Sequence, residues 1–165
     1  LIDREGAFAA AQARALAFSW DSEFQRRADA QASREMVGWI EEVHKGLEGL
    51  RRDDVGRMLH GRFGCTWGLA RVMCVQRGIL LSSDNTLYDE VTEALGRAST
   101  WSRLLRTAYG IARDDGQPPT LREQVIAGLR LYALTAQLIA GALRPEDAPL
   151  VAHTVGLIEE ALGAS

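Results

Sequence analysis

Apolar residues in this chain return every three or four positions, segment after segment, and no stretch alternates apolar with polar residues long enough to make a convincing strand. A backbone with that period has one economical use for its hydrophobic side chains, the buried stripe of a helix. Met36, Ile40, Val43, Leu47 and Leu50 fall at alternating steps of four and three, while Glu35, Glu42 and Glu48 lie largely away from that line. Asp21 or Ser22 caps the helix that carries them, Glu41 and Lys45 stand in the favourable order for a surface ion pair, and Gly49 with the "RRDD" turn ends it. Asp53 then caps a helix over about 54–77, with Val55, Leu59, Phe63, Trp67, Ala70, Met73 and Cys74 on or near one face, which predicts a central position, and Gly78 as C-cap.

The remaining punctuation is similar. Ser82 to Asn85 turn into a helix over 86–95, Ser99 or Thr100 caps one running to about Arg113, and Asp114 to Pro119 form a loop. Thr120 with Glu123 makes a capping box for a helix over 121–143, and Val151, Val155, Ile158 and Leu162 stripe the last one. A short alanine-rich helix over 8–18 precedes all of these, after a strand end at Leu1 and Ile2 and a turn from Asp3 to Gly6. The expected fold is all-α, a single domain over 1–165: an antiparallel bundle of about five main helices plus one or two short ones.

Inside the central helix stand Gly61, Gly64 and Gly68, each costing about 1 kcal/mol relative to alanine. Their three-then-four spacing puts them on one face, where a neighbouring helix, or a flat ligand, can approach the backbone closely. Close helix packing is the preferred reading, whether the helix comes from this chain or from a partner.

Charge and chemistry narrow the function classes. A net charge of −3 and a pI near 5.6 disfavour nucleic acid as a partner. No apolar run is long enough for a membrane span, and no signal segment is visible, so a cytoplasmic location is expected. Cys65 and Cys74 both sit in apolar helical surroundings and read as packing. His44, His60 and His153 fall on three different expected helices; Glu41 and His44 make one E-x-x-H, but the second that a carboxylate-bridged metal site requires is missing, so no metal is expected. Arg103, Arg106 and Arg113 near Trp101 and Tyr109 read as a solvated face, and Trp39 and Trp67 as interhelical packing. Glu41, Glu42, Glu48, Asp53 and Asp54 cluster about one helix end and the next helix start; beyond caps and solubility, they are candidates for an acidic rim that binds a small cationic molecule.

Three segments together resemble a known family. "LIDREGAF" looks like the end of the catalytic sheet of antibiotic-type nucleotidyltransferases; "MVGWIEEVHKGLEGLRRDDVGRMLHGRF" is similar to the tryptophan-bearing helix, basic turn and following helix of their C-terminal region; "LYALTAQLIAGALRPEDAPLVAHTVGLIEEAL" is similar to its last two helices. The resemblance, to aminoglycoside and lincosamide nucleotidyltransferases with a HEPN-like helical domain, implies that residues 1–20 join a preceding nucleotide-binding domain, or that a separate subunit supplies one. It implies magnesium and a nucleoside triphosphate for the parent enzyme, an acceptor wall in this chain, and a homodimer as one arrangement. The Gly-Ser loop and D-x-D pair of the catalytic domain are absent, and Arg57 and His60 are too close together for the HEPN ribonuclease motif, so no catalytic residue is assigned here. Two rivals stand beside this reading: a free-standing interaction module that receives a partner helix on Gly61, Gly64 and Gly68, and the ligand-binding half of a helical transcription regulator.

Overall fold

Capping side chains decide where most helices start. In the computed structural model, which describes residues 6–112 and 116–163, α1 (Ala7–Leu16) follows Gly6 in the left-handed region. The Asp21 carboxylate accepts the Phe24 N–H at 2.8 Å and opens α2 (Ser22–Gly38). The long helix expected to run on to Gly49 is interrupted at Trp39, and α3 (Ile40–Arg52) continues from there. Asp53 does not cap the next helix. It takes the left-handed conformation at the C-terminus of α3, φ 55°, and Asp54 becomes the cap of α4 (Val55–Phe63) by accepting the Arg57 N–H at 3.1 Å. One aspartate reverses the chain and the other closes the new helix, two tasks that a single residue cannot share.

From α4 the chain passes through a π-helical turn, Gly64–Gly68, into α5 (Leu69–Arg77), which Gly78 ends at φ 64°. A 3₁₀ turn at Asp84–Thr86 leads into α6 (Leu87–Leu95), and Ser99 caps α7 (Thr100–Ala108). That helix stops before Arg113, at Tyr109 and a left-handed Gly110. Both halves of the Thr120/Glu123 capping box form on α8 (Leu121–Leu138). It ends short of Leu143 in a 3₁₀ turn, Ala140–Ala142, before α9 (Ala148–Gly163). The strand end expected at Leu1 and Ile2, and Arg113 to Asp115, lie outside the described residues. Among the described residues every regular element is helical, as the period predicts, and no helix is long and apolar enough to cross a membrane.

α2 and α3 pair with α5 and α4 as the two arms of a long hairpin, and α8 lies across them with α7 and α9 on either side. Trp101, Tyr132, Met36, Leu69, Met73, Leu105 and Leu129 are fully buried at the centre, each contributing about 1.5–3 kcal/mol by leaving water. The polar tips among them are satisfied: Trp101 Nε1 donates to Thr135 Oγ1 at 2.9 Å, and Tyr132 Oη donates to the Met36 carbonyl at 3.1 Å. A second lock holds the far end, where Asp147 accepts Ser33 Oγ at 2.6 Å and Arg144 Nε at 2.7 Å.

The glycine face is filled by the chain itself. A Cβ on Gly61 would stand 2.5 Å from the Gly46 nitrogen, one on Gly64 2.5 Å from Glu42 Cβ, and one on Gly68 2.6 Å from Trp39 Cδ2. Trp39, Glu42 and Gly46 thus lie directly on the α4/α5 backbone: the face is packed within the chain, and the partner helix of the rival reading has no room there. This turns α4 away from the orientation its apolar residues suggest. Phe63 lies about 200° around the helix from Gly61, and Val55, Leu59 and Phe63 are 56%, 44% and 55% exposed, with Met58, Gly61 and Cys65 inward in their place.

Candidate functional site

A large cleft forms between α3, α8 and the end of α9, with the first turn of α4 at its edge. The cleft has a volume of about 970 Å³. Its floor is aliphatic: Leu47 and Leu50 from α3, Ile126 from α8, and Leu157, Ala161 and Leu162 from α9. Around it stand Glu41, His44, Lys45, Glu48 and Arg51 from α3, Arg57 from α4, Arg122 from α8 and Glu160 from α9. Arg122 Nη1 donates to the Leu50 carbonyl at 3.1 Å, tying the start of α8 to the last turn of α3 and closing one side.

The helical period explains both the floor and why part of it escaped the stripes. Leu47 and Leu50 lie on the core-facing stripe of α3 but are only partly buried, and their remaining surface lines the cleft. Leu157 sits off the Val151, Val155, Ile158 and Leu162 stripe, Ile126 follows the buried Val125, and both are only partly buried. An apolar residue left over from a helix's core stripe was the available signal, one that a sequence offers without saying which leftovers converge.

The five carboxylates proposed as an acidic rim are dispersed and mostly neutralised. Glu41 and Glu48 line the cleft; Glu42, Asp53 and Asp54 do not. Lys45 Nζ lies 2.9 Å from Glu41 and 2.8 Å from Glu42, Glu48 pairs with Arg51 and Arg52, and Asp54 pairs with Arg57 at 3.2 Å. These contacts set the titration: a hydrogen bond from Lys45 lowers the Glu41 carboxyl, one from Arg51 lowers Glu48, and Glu42 with Glu41 raises Lys45. Glu42 instead turns toward the π-helical turn, where its Oε2 is buried without a protein partner. A negative field able to gather a polycation is therefore weakened, because helix i,i+3 and i,i+4 spacing sets Lys45 against both Glu41 and Glu42, Arg51 and Arg52 against Glu48, and Arg57 against Asp54.

Other candidates resolve into packing. Trp39 meets Trp67 edge-on at 6.3 Å between ring centroids, and Phe63 stacks on Trp67 at 6.0 Å, with Arg71 5.4 Å over the same indole. Trp101 is buried, and Arg103 and Arg106 donate to the Ala98 and Ala112 carbonyls rather than forming a shared anion site with it. Burial pushes the Cys65 thiol up to about 12 and the Cys74 thiol up to about 11, so neither is a nucleophile near neutral pH. Among the described residues no three His, Cys, Asp or Glu side chains converge as a metal site.

Compared with known protein families, curated proteins and solved structures, the chain matches none. The likeness to nucleotidyltransferases therefore rests on the residues that carry it.

Proposed function

We propose that this chain is the helical acceptor-binding domain of a nucleotidyltransferase, and that the cleft between α3, α8 and α9 holds the small molecule whose hydroxyl receives the nucleotidyl group. One observation carries the proposal. Two segments that resemble the family's helical region, 36–63 and 131–162, are far apart in sequence, yet between them they furnish every lining residue of the cleft except Arg122 and Ile126. A cleft of this size, with an aliphatic floor and a few polar groups around it, suits a small organic ligand. The chain's part is to bind and orient the acceptor; nucleotide and magnesium belong to a catalytic domain or subunit beside it.

The test is made on the protein as the native cell makes it. Its intact mass is measured, and transfer of a labelled nucleotide to hydroxyl-bearing antibiotics is assayed with and without Ala161→Trp, which fills the cleft from an exposed position on α9. The expected result is a mass well above 18.1 kDa, or a co-purifying catalytic subunit, with transfer that Ala161→Trp lowers by about tenfold or more. No transfer, or transfer that the filled cleft leaves unchanged, overturns the reading.

A second reading, a helical interaction module for a separate nucleotidyltransferase, is favoured by the exposed Val55, Leu59 and Phe63 on α4. It places the partner there and not on the glycine face. Leu59→Glu is expected to weaken capture of that enzyme if this reading holds, and unaltered capture removes it.

A further inference from the structure

The charges around the cleft say what kind of molecule it can hold. Lys45 is shared by Glu41 and Glu42, Arg51 is held by Glu48, and Arg57 by Asp54. Arg122 is bonded to the Leu50 carbonyl at the C-terminal end of α3, where the helix dipole is negative. Glu160 on α9 faces the same space, and His44 adds an imidazole at the edge. Cations and carboxylates thus come in near-equal number, and Lys45, Arg51 and Arg57 each touch a carboxylate. At distances beyond a few ångströms such pairs cancel, leaving hydrogen-bonding groups without a net field.

From this geometry we infer that the cleft selects an uncharged amphiphile: a hydroxyl-rich head, such as a sugar, set among the paired side chains, with an aliphatic body on Leu47, Leu50, Ile126 and Leu157. Apart from a contact with Glu160, a cationic head would have to break Lys45 or Arg51 away from its carboxylate to gain a partner, and apart from a contact with Arg122, an anionic head would have to displace Glu41 or Glu48. Both exchanges trade one ion pair for another at the cost of desolvating the incoming charge. A neutral polyol makes no such exchange, because each paired carboxylate and guanidinium keeps lone pairs or N–H groups to offer it. The inference rests on the cleft being the acceptor site and specifies the acceptor's class.

The experiment uses three probes with one tail and different heads: octyl β-glucoside, octylammonium and octanoate, each below its micelle concentration. Binding is followed by NMR through the amide signals of Leu47, Ile126 and Leu157 in the native chain and in Ala161→Trp, at low and at moderate salt. The expected result is that octyl glucoside shifts these signals, binds at least as tightly as either ion, and changes affinity less than about threefold with salt. Ala161→Trp removes the effect. Tenfold tighter binding of either ion, falling as salt rises, overturns the inference while leaving the cleft as the site. Failure of all three probes, or shifts that persist in Ala161→Trp, overturns the acceptor-site reading and the inference with it.

Discussion

A glycine inside a helix is a loss that only a close neighbour can offset, and the glycines here divide sharply by that criterion. Gly61 faces the backbone of Gly46, which cannot move aside as a side-chain end can, whereas Gly156 on α9 has nothing within 4 Å of where its Cβ would be. Gly61→Ala is expected to destabilise the fold by about 1–3 kcal/mol despite its better helix propensity. Gly156→Ala should stabilise it by about 0.5–1 kcal/mol, and urea unfolding of both variants measures the contrast. Asp147 is the other decisive residue. Hydrogen bonds from Arg144 and Ser33 hold its carboxyl below the usual value of 3.8, so its contribution is fully present above that pH and is lost as pH falls toward the lowered value. Asp147→Asn should cost about 1.5–3 kcal/mol near neutrality, and the gap between variant and parent should shrink in denaturant titrations carried below about pH 4. Cys65 and Cys74, both buried, are expected to be inert to a disulfide reagent at pH 8 and to react together once the chain unfolds.

At the scale of one element, α4 and its π-helical continuation show two properties of a sequence competing for the same face. Val55, Leu59 and Phe63 mark the face that hydrophobicity would bury; Gly61, Gly64 and Gly68 mark the face that backbone contact would bury. Backbone contact wins, because a flat indole and a second helix backbone fit against glycine more closely than side chains allow, and dispersion falls steeply with separation. The π turn accompanies this approach, with Thr66 Oγ1 donating to the Arg62 and Phe63 carbonyls, each at 2.9 Å. The two faces therefore respond differently to substitution. Leu59→Gln should change stability by less than about 0.5 kcal/mol, whereas Met58→Ala, one residue away and 4% exposed, should cost about 2–4 kcal/mol. Thermal unfolding followed by helical circular dichroism separates them, and equal losses would mean that Leu59 is buried after all.

At the scale of the whole molecule, tertiary links across α8 hold the bundle in one arrangement. Tyr132 Oη reaches the Met36 carbonyl and Trp101 Nε1 reaches Thr135. Tyr132→Phe should cost about 1 kcal/mol by leaving that buried carbonyl without its partner, measurable as a shifted urea midpoint at constant slope. The cleft exists because α9 closes on α8 at Ile158 while Leu157, Glu160 and Ala161 look outward along the diverging end. The sequence alone determined the all-helical class, most helix starts, and the core-facing side of α3, where Val43 is buried and Ile40, Leu47 and Leu50 are partly buried against the core, since period and capping are local and every residue involved lies within a few positions of its partners. Tertiary structure alone decided which face of α4 turns inward, that Asp53 and Asp54 divide two tasks, and that Glu41 and Glu48 meet Arg122, Leu157 and Glu160 around one cleft. Those outcomes depend on how two distant surfaces fit at ångström separations. Hydrophobic period says that a face will be buried, and only the competing contacts of the folded chain say which face and against what.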